Sequence, residues 1–130
     1  LNVPIIFLVD DDEDYQQVNR VVLESAGYHV VCFACPDDAM LEAERNPPDL
    51  LITDLMMGSL DDGLQLSRAI KTHPRLSDVP VLIVTGMGRE LGLSIVPRGQ
   101  QELDALYANA FLEKPTAPAT LLKVVKRLLG

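Results

Sequence analysis

Residues 48–63 read PDLLITDLMMGSLDDG. Leu50, Leu51, Ile52 and Thr53 form a short apolar run that reads as a strand buried on both faces, and Asp54 stands at its end. A carboxylate at the rim of a hydrophobic core costs free energy unless something pairs with it. The rest of the chain contains the partners.

Outward from that strand the pattern repeats. Ile5–Val9 is another unbroken apolar run, and His29–Phe33, Val81–Val84 and Phe111–Leu112 read as further strands. Helical spacing lies between them. Tyr15, Val18, Val22 and Ala26 form one stripe, closed by Gly27 as a C-cap. Pro36, with Asp37 and Asp38 behind it, opens a second helix, which Asn46-Pro47-Pro48 ends. Leu64, Leu66, Ala69 and Ile70 mark a third, stopped by Pro74. A short helix is expected over Glu102–Ala108, and Pro118 opens a last one carrying Leu121, Leu122, Val125 and Leu128. Residues 86–101 are Gly-rich and carry no clear pattern. Five strands alternating with five helices predict an α/β fold, a single doubly wound parallel sheet with helices on both faces. The chain reads as one domain over residues 1–130, with Leu1 in place of Met pointing to a processed or excised piece.

Composition narrows the function. The 130 residues carry a net charge of −8, split unevenly: residues 1–62 hold 14 acids against two arginines, and residues 63–130 hold nine bases against five acids. So acidic a first half disfavours direct nucleic-acid binding and predicts an acidic pocket. No apolar run approaches membrane-spanning length and no signal peptide opens the chain, so the expectation is a soluble, cytoplasmic protein without membrane insertion.

In parallel sheets ligands bind at the carboxyl ends of the strands. Those ends carry the run Asp10-Asp11-Asp12-Glu13-Asp14, then Asp54, Thr85 and Lys114. Asp12 and Asp14 read as turn or N-cap residues. Asp10, Asp11 and Asp54 are expected to gather as three carboxylates, which cannot all remain ionised without a cation. Hard oxygen donors suit Mg²⁺. With a hydroxyl and an ammonium beside them, the set suits phosphoryl transfer with Asp54 as the attacking group.

The segments VDDDED, PDLLITDLMM, VLIVTG and FLEKP together resemble the receiver domains of bacterial two-component response regulators, over the whole chain. The resemblance implies a flavodoxin-like strand order 2-1-3-4-5 and phosphorylation of Asp54 by a sensor histidine kinase or histidine phosphotransfer protein. It implies Mg²⁺ held by Asp10, Asp11, Asp54 and the Met56 backbone carbonyl, with Thr85 and Lys114 on the phosphoryl oxygens. Phe111 is expected to switch rotamer with Thr85, passing the change through the helix 4, strand 5, helix 5 face to an output domain or downstream protein. The resemblance also places Met56 and Met87 at the two variable positions expected to set phosphate lifetime, and a thioether positions water poorly. The GSLDDG loop after Met57 and the longer stretch between Thr85 and Lys114 depart from the family pattern.

Two rivals use the same residues. A small haloacid-dehalogenase-like phosphatase would take Asp10 as nucleophile in a D-x-D with Asp12, and would leave Asp54 unexplained. A pseudo-receiver would bind partners without phosphorylation. Cys32 and Cys35 read as structural cysteines, since one C-x-x-C lacks the further ligands a zinc site needs. His73 reads as a surface residue at a helix end.

Overall fold

The computed structural model describes residues 3–55, 57, 62–86 and 100–130. Strands β1 (Ile5–Val9), β2 (His29–Phe33), β3 (Leu50–Thr53), β4 (Val81–Thr85) and β5 (Ala110–Glu113) form one parallel sheet in the order β2-β1-β3-β4-β5. Helices α1 (Glu13–Ser25), α2 (Pro36–Arg45), α3 (Asp62–Thr72), α4 (Gln100–Ala105) and α5 (Pro118–Leu129) cover its faces. No helix among the described residues is long and apolar enough to cross a membrane. The strands are apolar on both faces because both are covered.

Alternation along the strands divides the core into two layers. Phe7, Val9, Leu51, Val81 and Ile83 face Ala39, Ala43, Leu66 and Ile70 of α2 and α3, with Leu103 of α4 packed alongside. Ile6, Leu8, Leu50, Ile52, Leu82 and Val84 face Leu23 of α1 and Leu121 and Val125 of α5.

Three local expectations need correction. The inward line of α1 is Gln16, Asn19 and Leu23, while Val18 is 61% exposed and Ala26 lies at the surface. The Gln16 amide donates to the carbonyls of Asp10 and Phe33, both at 2.7 Å, and the Asn19 amide donates to the Tyr15 carbonyl. Strand-end carbonyls need donors when buried, so amides rather than valines turn inward there. Asp12 caps α1 by accepting from Tyr15 N, whereas Asp14 lies inside the first turn and is no cap.

The second correction concerns α4, which spans Gln100–Ala105 rather than 102–108. Tyr107 takes the left-handed φ of 54°, and Ala108 N and Tyr107 N bond back to Leu103 O and Asp104 O. Gly27, with φ 98°, makes the same closure after α1. The motif favours glycine, and at Tyr107 no glycine announces it. The third concerns His73, which is less exposed than a surface residue. Its Nδ1 accepts from Arg75 N, and its Nε2 lies 3.4 Å from the Glu44 carboxylate. Of the uncertain stretch 86–101, residues 87–99 lie outside the described residues, and so do Met56 and Met87.

Candidate functional site

The sheet delivers its polar residues to one edge by continuing its ladder past the strand ends. Asp54 N donates to Val9 O, Lys114 N to Thr85 O and Asp10 N to Phe33 O, each at 3.0 Å. Asp10, Asp54 and Lys114 each stand two residues beyond a member of the α1/α5 layer: Leu8, Ile52 and Leu112. Their side chains meet. Lys114 Nζ donates to Asp10 Oδ2 at 2.7 Å and to Asp54 Oδ2 at 2.9 Å. Thr85 is buried, two residues beyond Ile83, and therefore lies on the α2/α3 side with Phe111, which packs against that layer beside Ile83. The Lys114–Pro115 peptide is cis.

Asp10 is 1% exposed and Asp54 8%. Burial pushes the Asp10 carboxyl above its ordinary 3.8, against the opposing pull of Lys114 and of the Asp12 N–H on its Oδ1; the Asp54 charge adds to the rise. Burial works against the Lys114 charge too. There the hydrogen bonds to Asp10 and Asp54, and their charges, outweigh it and hold the ammonium above 10.5. One ammonium thus faces two carboxylates, and the centre remains acidic.

The three-carboxylate cluster expected from the sequence is here a pair. Asp11 is exposed, and among the described residues no three His, Cys, Asp or Glu side chains are grouped to hold a metal. The donor chemistry still fits Mg²⁺. Two hard oxygen ligands converge at a sheet edge with surplus negative charge, and Asp11 adjoins them in sequence.

Two supporting residues escaped the sequence reading. Gln16 ties the ends of β1 and β2 together through the bonds given above, and its place beside an apolar stripe gave no signal. Gly63 lies flush against the phosphoacceptor candidate: its N–H bonds Leu55 O at 2.9 Å, and a Cβ there would overlap the Asp54 carbonyl. A bare Gly between Asp62 and Leu64 could have suggested such a close approach.

The model of the response regulator receiver domain matches residues 6–126. The chain belongs to that family. It is 31% identical over 132 residues to the transcriptional regulatory protein BaeR of Escherichia coli O6:H1, covering 98% of this chain and 49% of that one. This receiver chain therefore spans about half the length of that relative. Among solved structures, a putative response regulator from Chloroflexus aurantiacus superposes with a TM-score of 0.83 at 29% identity, covering 98% of both chains. The receiver domain of sensor histidine kinase PA1611 from Pseudomonas aeruginosa superposes at 0.80 and 29% identity, covering 99% of both. That structure has a magnesium ion coordinated in its active site cleft. Membership makes this chain a regulatory receiver of two-component signalling and displaces the phosphatase reading. In that reading Asp12 belongs to the reacting pair, whereas here it caps α1.

Proposed function

We propose that the protein is a phosphorylation switch in which Asp54 accepts a phosphoryl group from a sensor histidine kinase or histidine phosphotransfer protein. The observation that carries this reading is the convergence of Asp10 and Asp54 on the Lys114 ammonium at the ends of β1, β3 and β5. An Asp54 oxygen attacks phosphorus, the P–N bond to the donor imidazole breaks, and the electron pair leaves with the imidazole. Lys114 moves from carboxylate to phosphoryl oxygen as charge shifts outward, and Thr85 offers its hydroxyl to a second oxygen. Bound at Asp10, Asp11, Asp54 and the Met56 carbonyl, Mg²⁺ would neutralise the charge shared by the carboxylates and the entering phosphoryl group.

Thr85 and Phe111 share a sheet face, so a Thr85 that moves toward the phosphoryl group opens space that Phe111 can fill. This passes the change toward α4, β5 and α5, and so to an output domain or downstream protein. The acidic charge disfavours direct nucleic-acid contact. Thioethers at Met56 and Met87 give water no strong acceptor, so the phosphorylated state is long-lived.

The test is intact mass after incubation with phosphoramidate, with and without Mg²⁺. A single added phosphoryl group is expected in the wild type with Mg²⁺ and none in Asp54→Asn. Undiminished labelling in Asp54→Asn, or without divalent ion, would falsify the assignment.

A further inference from the structure

The Lys114 ammonium has a neighbour that the proposed reaction leaves without a role. Its Nζ lies 4.2 Å from the centroid of the Tyr15 ring. That ring is held at both ends. Its main chain is fixed by the Asp12 cap, and its hydroxyl lies 3.2 Å from the Thr116 hydroxyl on the loop that follows Lys114. Burial raises the phenol above its ordinary 10.0, so it remains a neutral hydrogen-bonding group at physiological pH. With Val18, Pro115 and Pro118, Tyr15 walls an open cleft of about 620 Å³ beside the site.

We propose that Tyr15 is a positioning residue for Lys114, its ring face holding the ammonium while Lys114 exchanges a carboxylate for a phosphoryl oxygen on Asp54. The role rests on the function proposed above. A hydrogen bond to Asp10 or Asp54 is directional and must break for the ammonium to swing. Attraction to the ring face tolerates that swing and weighs most while the ammonium is between partners and its charge is least compensated, so it favours the exchange itself over the resting contacts. The Thr116 contact joins the ring to the loop that carries Lys114 and Pro115, keeping ring and ammonium in register. A Leu of similar bulk would keep the apolar packing and lose the π face.

The test uses Tyr15→Phe, which keeps the ring, and Tyr15→Leu, which does not. Proton NMR of the unphosphorylated protein comes first. The Lys114 ε-methylene signals should be displaced upfield by the ring current in wild type and Tyr15→Phe, and return to ordinary values in Tyr15→Leu. Phosphorylation by phosphoramidate is then followed against donor concentration. Tyr15→Leu should lower the maximal rate about fivefold with an unchanged half-saturating concentration, and Tyr15→Phe should retain most of the rate. Should Tyr15→Leu fail to fold, Tyr15→Met takes its place with the same expectation. A maximal rate equal to wild type in the ringless variant, or Tyr15→Phe as slow as Tyr15→Leu, overturns the role. Lys114 signals unchanged by ring removal overturn the contact itself. A wild type that takes no phosphoryl group on Asp54 overturns the proposed function, and the role with it.

Discussion

The two edges of the sheet use the same side-chain chemistry to different ends. At the amino edge, the Asp49 carboxylate accepts from Ile5 N at 2.7 Å and the Asn109 side chain accepts from Val81 N at 2.9 Å. Both residues are exposed, and each satisfies a backbone N–H at a strand start. At the carboxyl edge, Asp10 and Asp54 are buried and both engage one ammonium. Among the described residues Asp49 meets only a backbone N–H, whereas Asp10 takes the Asp12 N–H on one oxygen and the Lys114 ammonium on the other. Position before or after a strand separates the two edges, and among the acids that follow β1 the partner separates Asp10 from Asp11 and Asp12.

The sharpest way to break this contrast is Lys114→Met. It leaves two buried carboxylates without their ammonium and should cost about 3 kcal/mol of stability or more, read by urea unfolding at pH 7. Adding Asp54→Asn to that variant should recover part of the loss, because one of the two stranded charges is gone. The pH dependence has a definite sign. The folded-state pKa of Lys114 is raised above 10.5, so its stabilisation is fully present below pH 10.5 and is lost as pH rises through the folded value. That alkaline loss should be absent from Lys114→Met. A variant as stable as wild type at pH 7 would show that the ammonium is not what keeps the acidic edge folded.

A smaller effect is expected from Gln16→Leu, which removes the donor to two strand-end carbonyls while keeping the bulk. Phe33 O keeps its bond from Asp10 N, so the loss falls mainly on Asp10 O and should cost about 1–2 kcal/mol by the same unfolding assay. It should also slow Asp54 phosphorylation, since Asp10 loses one of the bonds that place it. Smallest is Asp49→Ala at the amino edge. Loss of one exposed bond should cost about 0.5–1 kcal/mol and leave phosphorylation at the wild-type rate. If Asp49→Ala slowed phosphorylation as much as Gln16→Leu, the two edges would not be separable.

Much of the fold was legible. The apolar runs at Ile5–Val9, Leu50–Thr53 and Val81–Val84 are strands because no surface helix tolerates such continuous burial, and the prolines and glycines between them punctuate the helices. The strand order is the one the family resemblance implied, and Asp10, Asp54 and Lys114 meet at the strand ends without the Asp11 expected beside them. The α1 stripe failed for a physical reason. Its phase is set by the Asp12 cap and by the carbonyls that Gln16 must satisfy, so Val18 is left outside. Helix α4 was misplaced because Tyr107 occupies a left-handed position without the glycine that usually marks it.

The sequence by itself determined the period of each element and the residue type at each strand end, because both are properties of consecutive residues. Only the tertiary structure decided which acids face one another. Lys114 reaches Asp10 across 104 positions and Asp54 across 60, and nothing local to any of the three encodes that closure. The same holds for Asp11, turned to water one residue from a buried Asp10, and for Tyr15, whose ring meets an ammonium contributed by the far end of the chain. A side chain's environment is set by what the folded sheet brings beside it, and its partners and burial then decide whether a carboxylate is a cap, a solvated charge or one half of a buried pair.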